Sequence, residues 1–411
     1  MRVSSIISEY NPFHEGHKYH MENTKKITNS DYTIVIMSGD FTQRGTPAII
    51  DKYARTKQAL LNGADLVLEL PVAFATSSAE GFACGAVSIL NKLGIVDHLV
   101  FGSEAGNIDS INDVAEFLSH ETPVFTERLQ NYLKQGFPFP KARALVLKEQ
   151  FPNLDENFLS SSNNILGIEY CKALKIFSSH IKPITITRKD NLYNDEHLSD
   201  NGKLSSATSI RNVLHTCSNF DELTSHMPEN SLTIIKENWN TSTPIATNDF
   251  SLLLKYKLLL ENKDSLVQYL DVTSDLADRI YNNLNQFTDY ESFCNLLKTK
   301  ELTFSRISRC LLHILLDIKK SEYENIKNNE YGQYARILGF RKEASSLLHE
   351  IKKHSSIPLI SKLSDSLKEL DDTSISLLEK DIQASHIYES VVANKFSKDF
   401  KNEFQRKLVI L

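Results

Sequence analysis

The sequence predicts an α/β fold in which a parallel sheet occupies the front of the chain and a mainly α-helical part follows it. Three observations carry this. Short β-branched runs alternate with amphipathic stretches from the first residues on, turn signals such as Pro71 and Gly102 close the runs, and strand signals stop after about residue 220 while helical spacing continues.

In order, Val3–Ser8 reads as a strand, residues 16–27 as a helix, 32–37 as a strand and 52–62 as a helix. Leu66–Leu70 is a strand closed by Pro71, residues 78–93 a helix stopped by Gly94, and 98–101 a strand running into Gly102-Ser103-Glu104. Helical patterns cover 108–179, residues 184–187 read as a further strand, and the polar stretch 189–204 as a loop able to serve as a lid. Residues 205–211 place hydroxyl side chains ahead of apolar periodicity, which is an N-cap followed by a helix. Beyond them, 252–260, 305–318 and 344–351 show helical spacing. The expected domains are therefore 1–220 and 221–411. In sheets of this kind ligands sit beyond the carboxyl ends of the strands, so the loops 9–14, 38–47 and 102–104 are expected to share one crevice.

A chain of 411 residues with 41% hydrophobic content is long enough for two well-buried cores. Its net charge of −6 excludes a generally basic nucleic-acid coat, leaving only a local basic patch for such a role. The five cysteines are dispersed and form no C-x-x-C pair, as expected of free thiols in a reducing, cytoplasmic setting. No signal-peptide pattern and no run of about 18 apolar residues occurs, so no membrane span is expected.

His14-Glu15-Gly16-His17 falls at the turn from the first strand into the first helix. A His-x-Gly-His arises by chance in only about one chain in a hundred of this composition. At that turn backbone amides and the helix dipole favour phosphate, and Gly16 allows close approach. Two imidazoles three residues apart can donate to phosphoryl oxygens as charge builds at an α-phosphorus, which suits a nucleoside triphosphate and requires no protein nucleophile. His14, His17 and His20 also invite a zinc reading, but the metalloprotease pattern spaces its histidines four apart, so no metal ligand set is assigned. Surface histidines at a helix start remain the plain alternative, and His20 alone reads as structural or solvated.

The segment 6–17, Ile-Ile-Ser-Glu-Tyr-Asn-Pro-Phe-His-Glu-Gly-His, together with Met37-Ser38-Gly39-Asp40-Phe41-Thr42-Gln43-Arg44-Gly45, resembles the bacterial tRNA(Met) cytidine acetate ligase family, nucleotidyltransferases of the HxGH type. Further matching blocks are Lys52-Tyr53-Ala54-Arg55, Leu68-Glu69-Leu70-Pro71, Phe101-Gly102-Ser103-Glu104, the stretch 162–170 and the Ser-rich segment ending at Arg211. The resemblance spans nearly all of the N-terminal half and reaches the second half more weakly through residues 305–309 and 338–340. It implies a Rossmann-like catalytic domain that makes acetyl-adenylate from acetate and ATP, then passes the acetyl group to the wobble cytidine of elongator tRNA(Met). ATP-binding residues implied by it are Ile7, Ser8, Glu9, Tyr10, Asn11, Pro12, Phe13, His14, Gly16, His17, His20, Gly102, Asn163 and Arg188. Thr208, Ser209 and Arg211 come from the second signature, where a helix N-terminus and an arginine hold the leaving pyrophosphate. His14 and His17 are the catalytic pair, and Mg²⁺ is expected with ATP. An ordinary N-cap is the alternative for 205–211. Gln43, Arg44, Arg55 and Lys203 receive no role.

In the second half, Arg306 and Arg309 lie three apart on one helix face, and Arg336, Arg341 and Lys342 fall in an acid-free stretch with Tyr334 and Phe340. Such mixtures contact phosphates and stack on unpaired bases, although most charge runs are merely solvated faces; the resemblance is what makes these five residues the expected tRNA surface. The alternative is that Arg306 and Arg309 pair with acids such as Glu301 or Asp317. A small-molecule adenylyltransferase making a nucleotide cofactor would use the same N-terminal site, and a catalytically silent RNA-binding protein with a relic nucleotide fold is a third reading. The long helical second half favours a macromolecular acceptor.

Overall fold

The computed structural model describes residues 1–188, 198, 204–216, 220–366, 368 and 370–411. Strands β1 (Val3–Ser8), β2 (Tyr32–Ser38), β3 (Leu66–Leu70), β4 (His98–Ser103) and β5 (Lys182–Thr187) form a parallel sheet in the order β5-β4-β1-β2-β3. In β2 and β3 both faces are covered, with Ile34, Val35, Ile36 and Leu66, Val67, Leu68 at 0% exposure, which is why these runs are continuously apolar. The chain moves outward from β1 to β3, then crosses to the other side of β1 for β4 and β5. Strand order thus reverses between β1 and β4, and a crevice opens at their carboxyl ends. Helix Glu15–Thr28 starts at that crevice. The suggested lid, 189–204, lies outside the described residues except for Leu198 and Leu204.

Strands do not stop near residue 220. β6 (Ala335–Phe340) pairs antiparallel with β3, and the short β7 (Leu359–Ile360) and β8 (Val409–Ile410) each run parallel to β6. The run Ala-Arg-Ile-Leu-Gly-Phe hides its strand character behind a charge and a glycine. Both are accommodated. Arg336 meets Glu69 of β3 at 2.9 Å and Glu403 at 2.6 Å, and a Cβ on Gly339 would stand 2.5 Å from the Val409 carbonyl oxygen.

The cores are shared between the two halves of the chain. Ile326, Tyr334, Ile337, Leu347 and Leu377 join the sheet core, while the helical cluster around Leu254, Phe293 and Leu311 takes in Phe41 and Val72 from the first half. Lys52, at 0% exposure, places Nζ 2.7 Å from Glu69 and 2.7 Å from Glu403, completing a buried network with Arg336. Cys84, Cys171, Cys294 and Cys310 are buried free thiols; Cys217 lies outside the described residues. Among the described residues no helix is long and apolar enough to cross a membrane.

Candidate active site

His14 is the N-cap of the first helix, and its ring is held by the backbone it caps. Its Nδ1 accepts from the Gly16 N–H at 3.0 Å, while His17 Nδ1 accepts from the His14 N–H at 3.3 Å, a reciprocal cap built from two imidazoles. A ring nitrogen that accepts carries no proton, so each neutral ring bears its hydrogen on Nε2. Burial, reinforced by Arg188 and Arg211, pushes His14 down to about 3, and burial with His14, Arg188 and His20 lowers His17 strongly. Both rings are therefore neutral Nε2–H donors at physiological pH. Their centroids lie 3.8 Å apart, and Tyr10, in the left-handed region at φ 47°, sets its ring edge-on to His17 at 4.8 Å. A Cβ on Gly16 would stand 2.8 Å from His14 Cε1, so the glycine makes room for the histidine ring itself.

A cavity of about 200 Å³ occupies the β1/β4 crevice. Of the residues expected at ATP, Ile7, Ser8, Glu9, Tyr10, Asn11, His14, Gly16, His17, His20, Gly102, Asn163, Arg188, Thr208 and Arg211 line it. Pro12, Phe13 and Ser209 do not. Phe13 is core at 0% exposure behind the Tyr10 and His17 rings, and Ser209 is buried, its N–H donating to Ser206 Oγ at 3.0 Å in the helix cap. Arg44, Arg188 and Arg211 face the space, while Glu9 is its only carboxylate among the described residues. Such a wall suits a polyanion. Arg211 ties the two signatures together, donating through Nη1 to the Asn11 carbonyl at 2.7 Å and through Nη2 to Thr208 Oγ1 at 3.1 Å. Glu104 caps the helix Ser162–Ile176, accepting from Asn163 Nδ2 at 2.6 Å and from the Asn164 N–H at 3.0 Å. Among the described residues no group of three or more His, Cys, Asp or Glu is arranged to hold a metal ion.

Some lining residues escaped the sequence reading. Leu166 and Tyr170 stand three and seven residues after Asn163, on the same helix face, and that spacing could have found them. His226, which does not line the cavity but supports its wall, offered no such signal. It braces both signatures, accepting from the Glu15 N–H through its carbonyl at 3.0 Å and pairing Nδ1 with Ser205 Oγ at 2.9 Å. Arg55 proves structural: fully buried, it donates to the carbonyls of Ile50, Glu9, Ser38 and Gly39 and so fastens the loops after β1 and β2. Lys203 lies outside the described residues.

The five residues expected to meet tRNA do not share a surface. Arg306 and Arg309 line an open cleft of about 2110 Å³ next to the cavity, together with Arg44, Arg143, Lys172 and Arg211. Neither makes an ion pair with Glu301 or Asp317; Asp317 instead meets Lys257, Lys319 and Lys380. Arg336 is 4% exposed in the buried network and cannot face RNA, because its charge is consumed by Glu69 and Glu403. Arg341 and Lys342 follow β6 at the start of β3, where the Arg341 N–H donates to the Asp65 carbonyl at 3.0 Å. Antiparallel pairing carries them to the amino-terminal edge of the sheet, the length of β3, roughly 17 Å, away from the carboxyl-end side on which the crevice opens.

The HIGH Nucleotidyl Transferase family profile matches residues 1–403. The tRNA(Met) cytidine acetate ligase of Clostridium perfringens is 43% identical over 396 residues, 94% of this chain and 95% of that protein, and the one of Acetivibrio thermocellus is 40% identical with both chains fully covered. The chain belongs to the tRNA(Met) cytidine acetate ligase family of HIGH nucleotidyl transferases. Crystal structures of a further protein, Thermotoga maritima TmcAL, superpose along the full length of both chains at 33% identity, with TM-scores of 0.94 for the apo form and 0.92 for the form bound with alpha-thio ATP. In this chain the HxGH turn, the second signature and the switch point of the sheet all meet at the cavity, the place where sheets of this kind take their ligands.

Proposed function

We propose that this chain is a cytoplasmic ATP-dependent ligase that activates acetate and acetylates the wobble cytidine of elongator tRNA(Met), giving 4-acetylcytidine. The observation that carries this reading is the meeting of the motif residues around one small, arginine-lined cavity that opens into a much larger cleft. A small acid and ATP suit the first space, and a folded RNA suits the second. In the first step an acetate oxygen bonds to the α-phosphorus and pyrophosphate leaves. His14 and His17 donate through Nε2–H to the phosphoryl oxygens as charge develops, and their neutral state makes them donors without a proton to lose. Arg211 and the start of helix Ala207–Thr216 hold the departing pyrophosphate, and Arg188 the remaining phosphate. Mg²⁺, expected with the triphosphate, would neutralise part of its charge, and Glu9 is the carboxylate in the cavity wall that could meet it. In the second step the cytidine N4 bonds to the acetyl carbon and AMP departs.

The test supplies purified protein with ATP and labelled acetate, with and without tRNA. Acetate-dependent ATP–pyrophosphate exchange is expected without tRNA, and label in tRNA when it is present. Exchange driven by a nucleoside monophosphate and not by acetate would replace this reading with cofactor synthesis. ATP binding without exchange would leave a silent RNA-binding protein.

A further inference from the structure

Gln43, Arg44, Thr46, Leu166, Thr208 and Arg211 line both the small cavity and the large cleft, so they frame the passage between them, and Leu166 is the one apolar side chain of the six. Thr208 and Arg211 stand on the phosphate-holding side. The opposite side is the tip of a tight hairpin after β2, closed by the Phe41–Pro47 bridge, by the Thr42 N–H donating to the Thr46 carbonyl at 2.9 Å, and by the Gly45 N–H donating to the Thr42 carbonyl at 2.9 Å. The tip is anchored at both ends. Glu9 Oε1 accepts the Gln43 N–H at 2.8 Å on the cavity side. On the cleft side Ser308 Oγ donates to the Gly45 carbonyl at 2.8 Å, and Gly45, at φ +76°, lies so close to helix Phe304–Leu315 that a Cβ would stand 2.4 Å from the Arg309 nitrogen. The backbone of Gln43 is thus fixed and its side chain is partly exposed at the passage.

We propose that Gln43 is the residue that binds the acceptor base. The proposal rests on the functional reading above. A cytosine presents an N4 amine, which needs an acceptor, beside N3, which needs a donor, and single-stranded bases are commonly read on this edge. Arg44 and Arg211 offer donors only. The two threonine hydroxyls each hold a bond already, Thr46 with Thr42 at 3.0 Å and Thr208 with Arg211 at 3.1 Å, and a single oxygen cannot present a donor and an acceptor at two points spaced like N3 and N4. The Gln43 carboxamide is the group in the passage that sets a donor and an acceptor side by side. Accepting one N4 hydrogen and donating to N3, it holds the amine toward the cavity. There the N4–C bond forms, the bond between the acetyl carbon and the phosphate oxygen breaks with its electron pair leaving on AMP, and the second N4 proton passes to the AMP phosphate.

The experiment compares the full chain with Gln43→Ala and Gln43→Glu in acetate-dependent exchange without tRNA, in tRNA affinity, and in single-turnover acetyl transfer to bound tRNA. For Gln43→Ala transfer is expected to fall about 10- to 100-fold, the cost of one bidentate base contact. Exchange is expected to fall by a clearly smaller factor than transfer because the tie to Glu9 uses the backbone N–H, and affinity by little because phosphate contacts dominate it, so the ratio of transfer to exchange is the deciding quantity. Gln43→Glu keeps the acceptor, loses the donor and should fall between. Unchanged transfer, or exchange falling as far as transfer, overturns the assignment, the second outcome marking a loop-shaping role. If the unaltered chain exchanges with acetate yet transfers nothing to tRNA, the functional reading fails and takes this one with it.

Discussion

Two backbone amides decide which nitrogens of His14 and His17 carry hydrogen, and that choice makes the pair donors rather than bases. Replacing either by Ala is expected to slow adenylation by about 10²–10³ with little change in ATP affinity, since donors aimed at developing charge act mainly in the transition state. Gly16→Ala should approach the same loss although no donor is removed, because its Cβ would press on His14 Cε1. A Gly16→Ala enzyme with normal exchange would show that the ring position is not critical. The same neutrality has a consequence for stability. Burial and Arg188 push His20 down to about 4, and burial with the two arginines pushes His14 to about 3, both below the value of 6.5 that each regains on unfolding. As pH falls the unfolded chain takes these protons first, so the contribution is complete above 6.5 and is lost between 6.5 and about 4 for His20 and between 6.5 and about 3 for His14, at up to about 1.4 kcal/mol per pH unit for each histidine. Denaturant midpoints at pH 7 and pH 5 should therefore converge in His20→Gln relative to the unaltered chain; an unchanged gap would mean that His20 protonates within the fold.

Helix Phe304–Leu315 presents Arg306 and Arg309 to the cleft while its other side packs Ile307, Leu311 and Ile314 into the helical core. That division was legible in the sequence from the three-residue spacing and the apolar period around it. In the basic stretch 333–342, Arg336 is withdrawn from any RNA surface for a physical reason. The composition of the stretch resembles an RNA-binding loop, but the partner that buries Arg336 is a glutamate more than 260 residues earlier, and no local pattern encodes such a pairing. Composition shows how much charge a segment carries, and only tertiary context shows whether that charge is spent inside. Opposite outcomes are expected for the two basic groups. Changing Arg306 and Arg309 together to Glu should weaken tRNA binding and reduce its salt dependence by roughly one unit of slope per lost phosphate contact, with acetate exchange retained. Changing Arg341 and Lys342 to Glu at the far edge of the sheet should leave both affinity and slope unaltered. Equal losses from the two double variants would require the RNA to wrap the molecule.

Across the whole molecule, the parallel sheet, its switch point and most of the cavity wall were readable from periodicity and motifs, whereas the means by which the second half closes the sheet were not. Lys52 and Glu69 lie in segments that match the family, yet neither lines the cavity. With Arg336 of β6 and Glu403 near the carboxyl end they form a charge-balanced cluster at less than 5% exposure. Residues 1–220 and 221–411 are built on one shared sheet, and both contribute to the wall of the large cleft. Breaking a buried ion pair from one side leaves an uncompensated charge and costs about 3–5 kcal/mol, much more than a surface pair contributes. Arg336→Met and Glu403→Gln should each lower the melting temperature strongly, and the double change should cost less than the sum of the two, because each single change strands a charge that the other removes. The tRNA salt slope of the folded fraction should not move in Arg336→Met, which separates this structural role from RNA contact. A fragment of residues 1–220 would expose β3 as a bare edge and leave Lys52 and Glu69 without Arg336 and Glu403, so it should fail to unfold cooperatively and should not support acetate exchange. Cooperative unfolding and normal exchange from that fragment would show instead that the catalytic sheet stands alone, with β6 only an addition to its edge.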